Sequence, residues 1–576
     1  MRLHSIILFL TFAFSFLGIT SAEEANETNQ AWRLENTHAS WSISKATGQI
    51  LGGWNAKTGE RYLRFIEGGY HLEDRKSLVT GRESSDKVLH VKFDEANQRI
   101  ELACTNSTLP DLSIRKRYWL DGNKLYHRVA FRTKSQRLQF ITCNVQVAFV
   151  PTYRKGSFYM GGADGGGPLV PAPAIDKWAK MLQYKSTTKG MVLSQPKKGY
   201  SFAHVRTRLD DQFVWPWFTG AIASYVERMN VMHYTPDGWD MSLGTSKLSA
   251  EQETSFEQFL SIFDGDWQTF LRREYPALPA VKKALHEIPP VPEWVNDVKI
   301  YTGSDMQRLR QMVEMTDEGT IMVMISLAGS WSDYYVERGM SGGYGGWVTG
   351  PELRDWIQRI RALSPRIKVG LYMWVLSTTD QTRIYKEHPE WFRYGNKDGQ
   401  PLSTFPGFWN NFAHLLSIRD CYQELLSQFD HVLSYLGTDY IYLDDPKAIN
   451  MIDWRSGEFT RDDLSFKFFR DLKRLVARHG PDKVLFFNNR GNPYADINFI
   501  EARAQLRANY WRRFTGIGAV CQEFVSATRP NARIIPLYYT TPLRREYMNR
   551  VLALGWIPSL TYTDVIASRP YFQASY

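Results

Sequence analysis

Two acids stand side by side at the end of an apolar run: Tyr440-Ile441-Tyr442-Leu443 leads without a break into Asp444-Asp445-Pro446. A short apolar run with β-branched and aromatic members reads as a strand buried on both faces, the type found at the centre of parallel sheets. Pro446 cannot donate a ladder hydrogen bond, so the strand should end close to the acids. In a (β/α)8 barrel the carboxyl ends of the strands face the active site. A carboxylate there is a catalytic candidate, able to attack an electrophilic carbon or to exchange a proton. A second such ending occurs where Ile497-Asn498-Phe499-Ile500 runs into Glu501-Ala502-Arg503. Glu501 is the acid at that end.

The elements that must position these acids alternate between strand and helix. Val298–Tyr301 reads as a first barrel strand, followed by a helix at Asp305–Glu314. Thr320–Leu327 is the second strand, with a helix beginning near Pro351, a favoured first helical residue. Ile367–Trp374 is the third, followed by a helix over Cys421–Tyr435. The fourth ends at Asp444, with a helix over Asp463–Arg478. Val484–Phe487, Ile497–Ile500, Ile534–Tyr538 and Ile557–Tyr562 complete eight. An open doubly wound sheet is the alternative, but no Gly-X-Gly-X-X-Gly follows the first strand.

Residues 31–275 read instead as strands and turns, a large β-sandwich. Trp41–Ser44 turns through Gly48 into Gln49–Leu51, and Leu112–Leu120 turns at Asp121-Gly122 into Leu125–Phe131, both hairpin patterns. Within this region Glu253–Tyr275 has a helical pattern. Residues 276–296 form a proline-bearing linker, and 297–576 hold the barrel. Gly161–Pro168 is glycine-rich, but Pro168 stands where a phosphate loop needs a helix, so it reads as a loop.

At 576 residues the chain is too long for one core. Its net charge of +10 is spread without blocks of like sign, which argues against a nucleic-acid face. The 19 Trp, 30 Tyr and 32 Phe exceed ordinary usage; flat rings fill cores and also pack on the C–H faces of sugars. Residues 1–22 resemble a secretory signal: Arg2, an apolar core from Ile6 to Leu17, and a small-residue site at Thr20-Ser21-Ala22. A secreted or periplasmic protein without membrane attachment is expected. Of Cys104, Cys143, Cys421 and Cys521, the first two lie in the β region and either pair after export or stay as buried thiols. Asn26 and Asn106 head glycosylation sequons. No metal-ligand spacing occurs, and no cofactor is expected.

The strand ending on Asp444, together with Val369-Gly370-Leu371-Tyr372-Met373-Trp374 and His388-Pro389-Glu390-Trp391, resembles the glycoside hydrolases of the α-galactosidase clan, families 36 and 31. In family 36 a Gly-Leu-Trp strand precedes a His-Pro-Asp-Trp element, and a later Tyr-Ile-Lys-Trp-Asp strand ends on the nucleophile. Laid on this sequence, that position falls on Asp444. The resemblance implies a galactose-mutarotase-like super-sandwich before the (β/α)8 barrel. It also implies a retaining α-glycoside hydrolase acting on an oligosaccharide or polysaccharide, α-galactosides first. The clan takes its acid/base from the end of strand six, as an Asp in a different local motif; this sequence offers Glu501 there.

Such chemistry needs two carboxyl groups flanking the glycosidic bond, one ionised and one holding a proton. Asp444 is the expected nucleophile, with Lys447 nearby, and Asp445 alternatively lines the site. Glu501 is the expected acid/base, or else forms an ion pair with Arg503 or Arg507; Glu523 is a reserve. Asp305 and Asp333 are candidates for accepting sugar hydroxyls. Trp331, Tyr334, Tyr335, Tyr372 and Trp374 are candidates for stacking, or for core packing. Asn489 and Arg490, after strand five, suit a hydroxyl-rich ligand or a structured loop. The competing reading from another class is a non-catalytic carbohydrate-binding protein on a glycosidase scaffold. An inverting enzyme is a third.

Overall fold

The computed structural model describes residues 30–74, 76–150, 157–160, 170–171, 190–195, 200–207, 232–235, 238–265, 269, 272–273, 276–277, 282, 285–325, 340–341, 347–348, 350–374, 377–379, 383–392, 403–405, 409–413, 416–444, 451–453, 458–460, 462–487, 494–502, 529, 531–538 and 545–560. The segment read as an export signal, the sequon at Asn26, Cys521 and the glycine-rich stretch 161–168 lie outside them, apart from isolated neighbours.

The amino-terminal region is two antiparallel sheets of eight and nine strands. Both expected hairpins form: Ile43 pairs with Ile50 around Gly48, and Asp121 pairs with Lys124 around Gly122. Gly48 and Gly122 have φ of +75° and +57°, the left-handed region that a side chain resists. Trp41, Ile43, Tyr62, Ile114, Phe131 and Val145 belong to one buried core.

The helix expected over Glu253–Tyr275 is corrected: Thr254–Asp264 is a strand in the nine-stranded sheet, between Tyr200–Thr207 and Lys124–Thr133. Its apolar residues Phe256, Phe259, Leu260 and Phe263 mimic a helical stripe. The real period is two, with both faces buried. Phe256, Leu260 and Ile262 join the sandwich core, while Phe259 and Phe263 join the core of the barrel. A strand covered on both sides loses the apolar–polar alternation that would have announced it.

Cys104 and Cys143 are buried and not paired in a disulfide, so the thiol alternative holds. Burial pushes the Cys104 thiol up to about 11. Asn106 is also buried, and its amide donates to Asp86 Oδ1 at 2.6 Å and to the Arg82 carbonyl at 2.8 Å. A glycan there would take one of the two amide hydrogens and so break at least one of these bonds, and the buried side chain leaves no room for the sugar its sequon invites.

The second region is a parallel sheet of seven strands in sequence order: Val298–Gly303, Thr320–Ile325, Ile367–Trp374, Tyr440–Asp444, Val484–Phe487, Ile497–Ala502 and Arg533–Tyr538. They are strands one to seven of the barrel. The eighth segment closes it. Ile557 N–H donates to Ile534 O of strand seven at 2.9 Å; Tyr301 N–H of strand one donates to Pro558 O at 3.0 Å; and Leu560 N–H donates to Tyr301 O at 2.9 Å. Tyr301 and Ser559 form the parallel bridge. An open doubly wound sheet is therefore excluded.

Helices Met306–Met315, Gly350–Arg361, Arg419–Leu436 and Asp462–Arg478 occupy the expected connections. The third ends at Gly437, whose φ of +64° stops it one residue past Leu436.

Candidate active site

The lumen of the barrel is filled by rings from strands that are not neighbours. Tyr301 of strand one meets Phe486 of strand five edge-on at 5.5 Å and Phe499 of strand six at 5.9 Å. Tyr442 of strand four lies 4.7 Å from Phe486, 5.4 Å from Phe499 and 5.3 Å from Tyr372 of strand three. Contacts between strands one and five can only cross the interior, so these residues mark the inner face of each strand. Offset and edge-on pairs of this kind contribute about 0.5–1.5 kcal/mol each beyond area burial. Gly370 makes room for the layer below. A Cβ there would fall 2.1 Å from the Tyr440 ring, so glycine is required by close approach.

Side chains alternate along a strand, so residues two apart share a face. Asp444 is two residues past Tyr442, Glu501 two past Phe499, and Trp374 two past Tyr372. All three stand at the carboxyl ends of their strands, four, six and three, on the rim beyond the aromatic rings. Trp374 and Asp444 are register partners on adjacent strands. In register, strand six extends beside strand seven, with Glu501 opposite Leu537. The arrangement brings two acids, on strands separated only by strand five, to one rim above an apolar floor.

The other expected site residues distribute as follows. Tyr372 is half-buried, its ring packed on Tyr442 as part of the floor. Asp305 is exposed and caps the helix Met306–Met315, accepting the Arg308 N–H at 2.8 Å. Such a cap contributes about 1 kcal/mol, a structural use of one carboxylate oxygen. Trp331, Asp333, Tyr334, Tyr335, Asp445, Lys447, Asn489, Arg490, Arg503, Arg507 and Glu523 lie outside the described residues. His388 stacks on Trp391 at 3.8 Å and lies 3.1 Å from Glu390, the structural role its position at a helix end implies.

Two acids at the opposite rim, Asp439 half-buried and Asp496 fully buried, carry no motif that singles them out in the sequence. Asp439 and Asp496 immediately precede strands four and six. Each is five residues ahead of an acid at the other end, a shared spacing that was the available signal.

A closed parallel barrel behind a two-sheet antiparallel domain, with acids at the carboxyl ends of its strands, defines a class of fold found in glycoside hydrolases. No protein-family model matches the sequence, and comparison with curated proteins finds no match. Solved structures do match. The α-N-acetylgalactosaminidase NagBb from Bifidobacterium bifidum, in its GalNAc complex, superposes with a TM-score of 0.59 at 9% identity, covering 93% of this chain and 89% of that one. A variant of the family 36 α-galactosidase AgaA from Geobacillus stearothermophilus, in complex with stachyose, gives 0.52 at 11% identity, covering 92% and 83%. The α-galactosidase AgaB from the same organism gives 0.51 at 10% identity, covering 94% and 85%. At these identities the likeness establishes the fold: a β-sandwich followed by a (β/α)8 barrel.

Proposed function

We propose that the protein is an exported glycoside hydrolase of the family 36 kind, retaining, and acting on α-galactosides of oligosaccharides. One observation carries the reading: Asp444 and Glu501 stand at the carboxyl ends of barrel strands four and six, on the rim above a floor of rings. Backbones two strands apart are about 10 Å from one another, and in this reading both carboxylates turn into the lumen, toward the roughly 5–9.5 Å separation that flanking carboxyl groups use in glycoside hydrolysis. The neighbours named for α-galactosidase and α-N-acetylgalactosaminidase activity support the sugar class.

In this reading an Asp444 oxygen bonds to the anomeric carbon as the glycosidic C–O bond breaks, and Glu501 gives its proton to the departing oxygen. Glu501, now ionised, takes a proton from water, whose oxygen bonds to the anomeric carbon and releases the Asp444 carboxylate. One water is consumed, and configuration is retained. Glu501 must be protonated in the first half and ionised in the second, so activity should follow a bell-shaped pH profile.

The test is mass spectrometry of peptides after incubation with fluorinated α-galactosyl fluorides, beside turnover of Asp444→Asn. A single sugar adduct on Asp444, with activity lost by orders of magnitude in the variant, is expected. Sugar binding without turnover by the native protein would indicate a binding protein instead, and turnover without an adduct would indicate inversion.

A further inference from the structure

The acids at the amino ends of strands four and six make the same set of bonds. Asp439 N–H donates to Val369 O of strand three at 2.8 Å, and Asp439 Oδ2 accepts the Val369 N–H at 2.9 Å. Asp496 repeats this on Leu485 of strand five: its N–H donates to Leu485 O at 2.8 Å and its Oδ2 accepts the Leu485 N–H at 2.9 Å. Their carbonyls accept from the first residue of the next strand, Val484 for Asp439 and Arg533 for Asp496, both at 3.1 Å. Each carboxylate is braced by an arginine. Arg361 Nη2 reaches Asp439 Oδ2 at 2.8 Å and Arg529 Nη2 reaches Asp496 Oδ1 at 2.6 Å. Lys473 also contacts Asp496.

Barrel strands without a rim acid of this kind are built differently. Strands two, three, five and seven are preceded by Gly319, Arg366, Lys483 and Ala532. Asp297 precedes strand one, but among the described residues its carboxylate meets the Thr320 hydroxyl, at 3.4 Å, and no backbone N–H of a neighbouring strand, while its carbonyl takes the Thr320 N–H at 2.9 Å. Among the described residues, the carboxylate clamp on a neighbouring strand's backbone therefore lies beneath the two strands that end on Asp444 and Glu501. Strand six has particular need of it, since only Phe486–Ile497 and Phe487–Asn498 are in register with strand five.

We propose that Asp439 and Asp496 are positioning residues that fix the height of Asp444 and Glu501 at the barrel mouth. A strand rises about 3.3 Å per residue, so a clamp five residues below sets an acid roughly 16 Å away along a stiff strand. The inference rests on the reading of those two acids as the catalytic pair. A carboxylate displaced by an ångström loses transition-state contacts more than substrate binding, so the effect belongs in kcat rather than KM.

The test compares Asp439→Ala with Asp439→Asn in the full chain. Asparagine keeps an oxygen for the Val369 N–H and discards the charge; alanine discards both. With an α-galactoside substrate, the alanine variant should lose about tenfold or more in kcat with KM within about twofold, while the asparagine variant stays within about threefold of the native enzyme. Hydrogen exchange of the Val369 amide should accelerate in the alanine variant alone. For strand six, Asp496→Ala and Asp496→Asn are each combined with Lys473→Met, which removes one of the two cations that would otherwise be stranded and leaves Arg529 the same in both variants; activity should again follow the retained oxygen. A folded Asp439→Ala variant with native kcat overturns the proposal, as does an equal fall in both Asp439 variants. A native protein without turnover defeats the reading of the catalytic pair instead, and unaltered exchange at Val369 and Leu485 in the alanine variants would separately defeat the clamp.

Discussion

The two regions of the molecule each bury a lysine, in opposite charge balances. In the sandwich, Lys116 Nζ is fully enclosed, 2.6 Å from Glu83 Oε1 and 2.7 Å from Asp86 Oδ2, and donates to Thr47 O at 2.8 Å. In the barrel, Lys473 shares the single carboxylate of Asp496 with Arg529. Burial alone pushes both ammonium groups toward losing their proton. At Lys116 the Glu83 and Asp86 carboxylates outweigh burial and hold the pKa above its usual value. At Lys473 burial wins: Asp496 pulls upward, Arg529 pushes down, and the pKa falls below its usual value. Burial alone therefore does not decide the state of a lysine: two carboxylates outweigh it at Lys116, and one carboxylate shared with an arginine does not at Lys473.

The largest effect expected from breaking this comparison is that of Lys116→Met. It leaves Glu83 and Asp86 facing one another without a cation, and removing one partner of a buried ionic group costs about 3–5 kcal/mol. Denaturant unfolding of the variant should show that loss. Gly370→Ala tests the barrel sterically. Its new methyl would overlap the Tyr440 ring, and a strained core of this kind costs about 1–3 kcal/mol, again measurable by denaturation.

Lys473→Met should be milder than Lys116→Met, because Asp496 keeps Arg529 and the Leu485 N–H. Replacing the surplus cation by an apolar side chain is expected to change stability by no more than about 1 kcal/mol. A loss as large as that of Lys116→Met would break the charge-balance account.

The smallest effect is in alkaline solution, where the two lysines have opposite signs. Lys116, with its pKa raised on folding, contributes stability that is complete below the unfolded lysine value of about 10.4 and lost as pH climbs through its folded value. Lys473, with its pKa lowered, binds fewer protons folded than unfolded, so its contribution grows as pH rises from its folded value toward about 10.4. Melting temperatures across this range should show Lys473→Met flattening the rise below that point, and Lys116→Met removing part of the fall above it.

Much of this was legible in the chain. The run Tyr440–Leu443 announced a doubly buried strand and Pro446 its end, and Asp121-Gly122 announced a hairpin, because each signal is carried by residues close in sequence. The strand Thr254–Asp264 was misread because its second face is covered by a region whose core lies at 291–557. Nothing local shows that Phe259 and Phe263 have a partner there. Asn106 looked available because a sequon says nothing about Asp86, which takes its amide. The clamps at Asp439 and Asp496 were missed because an acid before a strand looks like any loop acid until Val369 or Leu485 is seen opposite.

The sequence by itself determined where the barrel's strands and helices run and which acids stand at their ends, since burial on both faces, helix capping and turn chemistry are written in neighbouring residues. Only the tertiary structure decided which face of each strand looks inward, which rings meet across the lumen and which carboxylates are clamped at its base. Those outcomes depend on strand order and closure, and these are set by contacts between residues dozens to hundreds of positions apart.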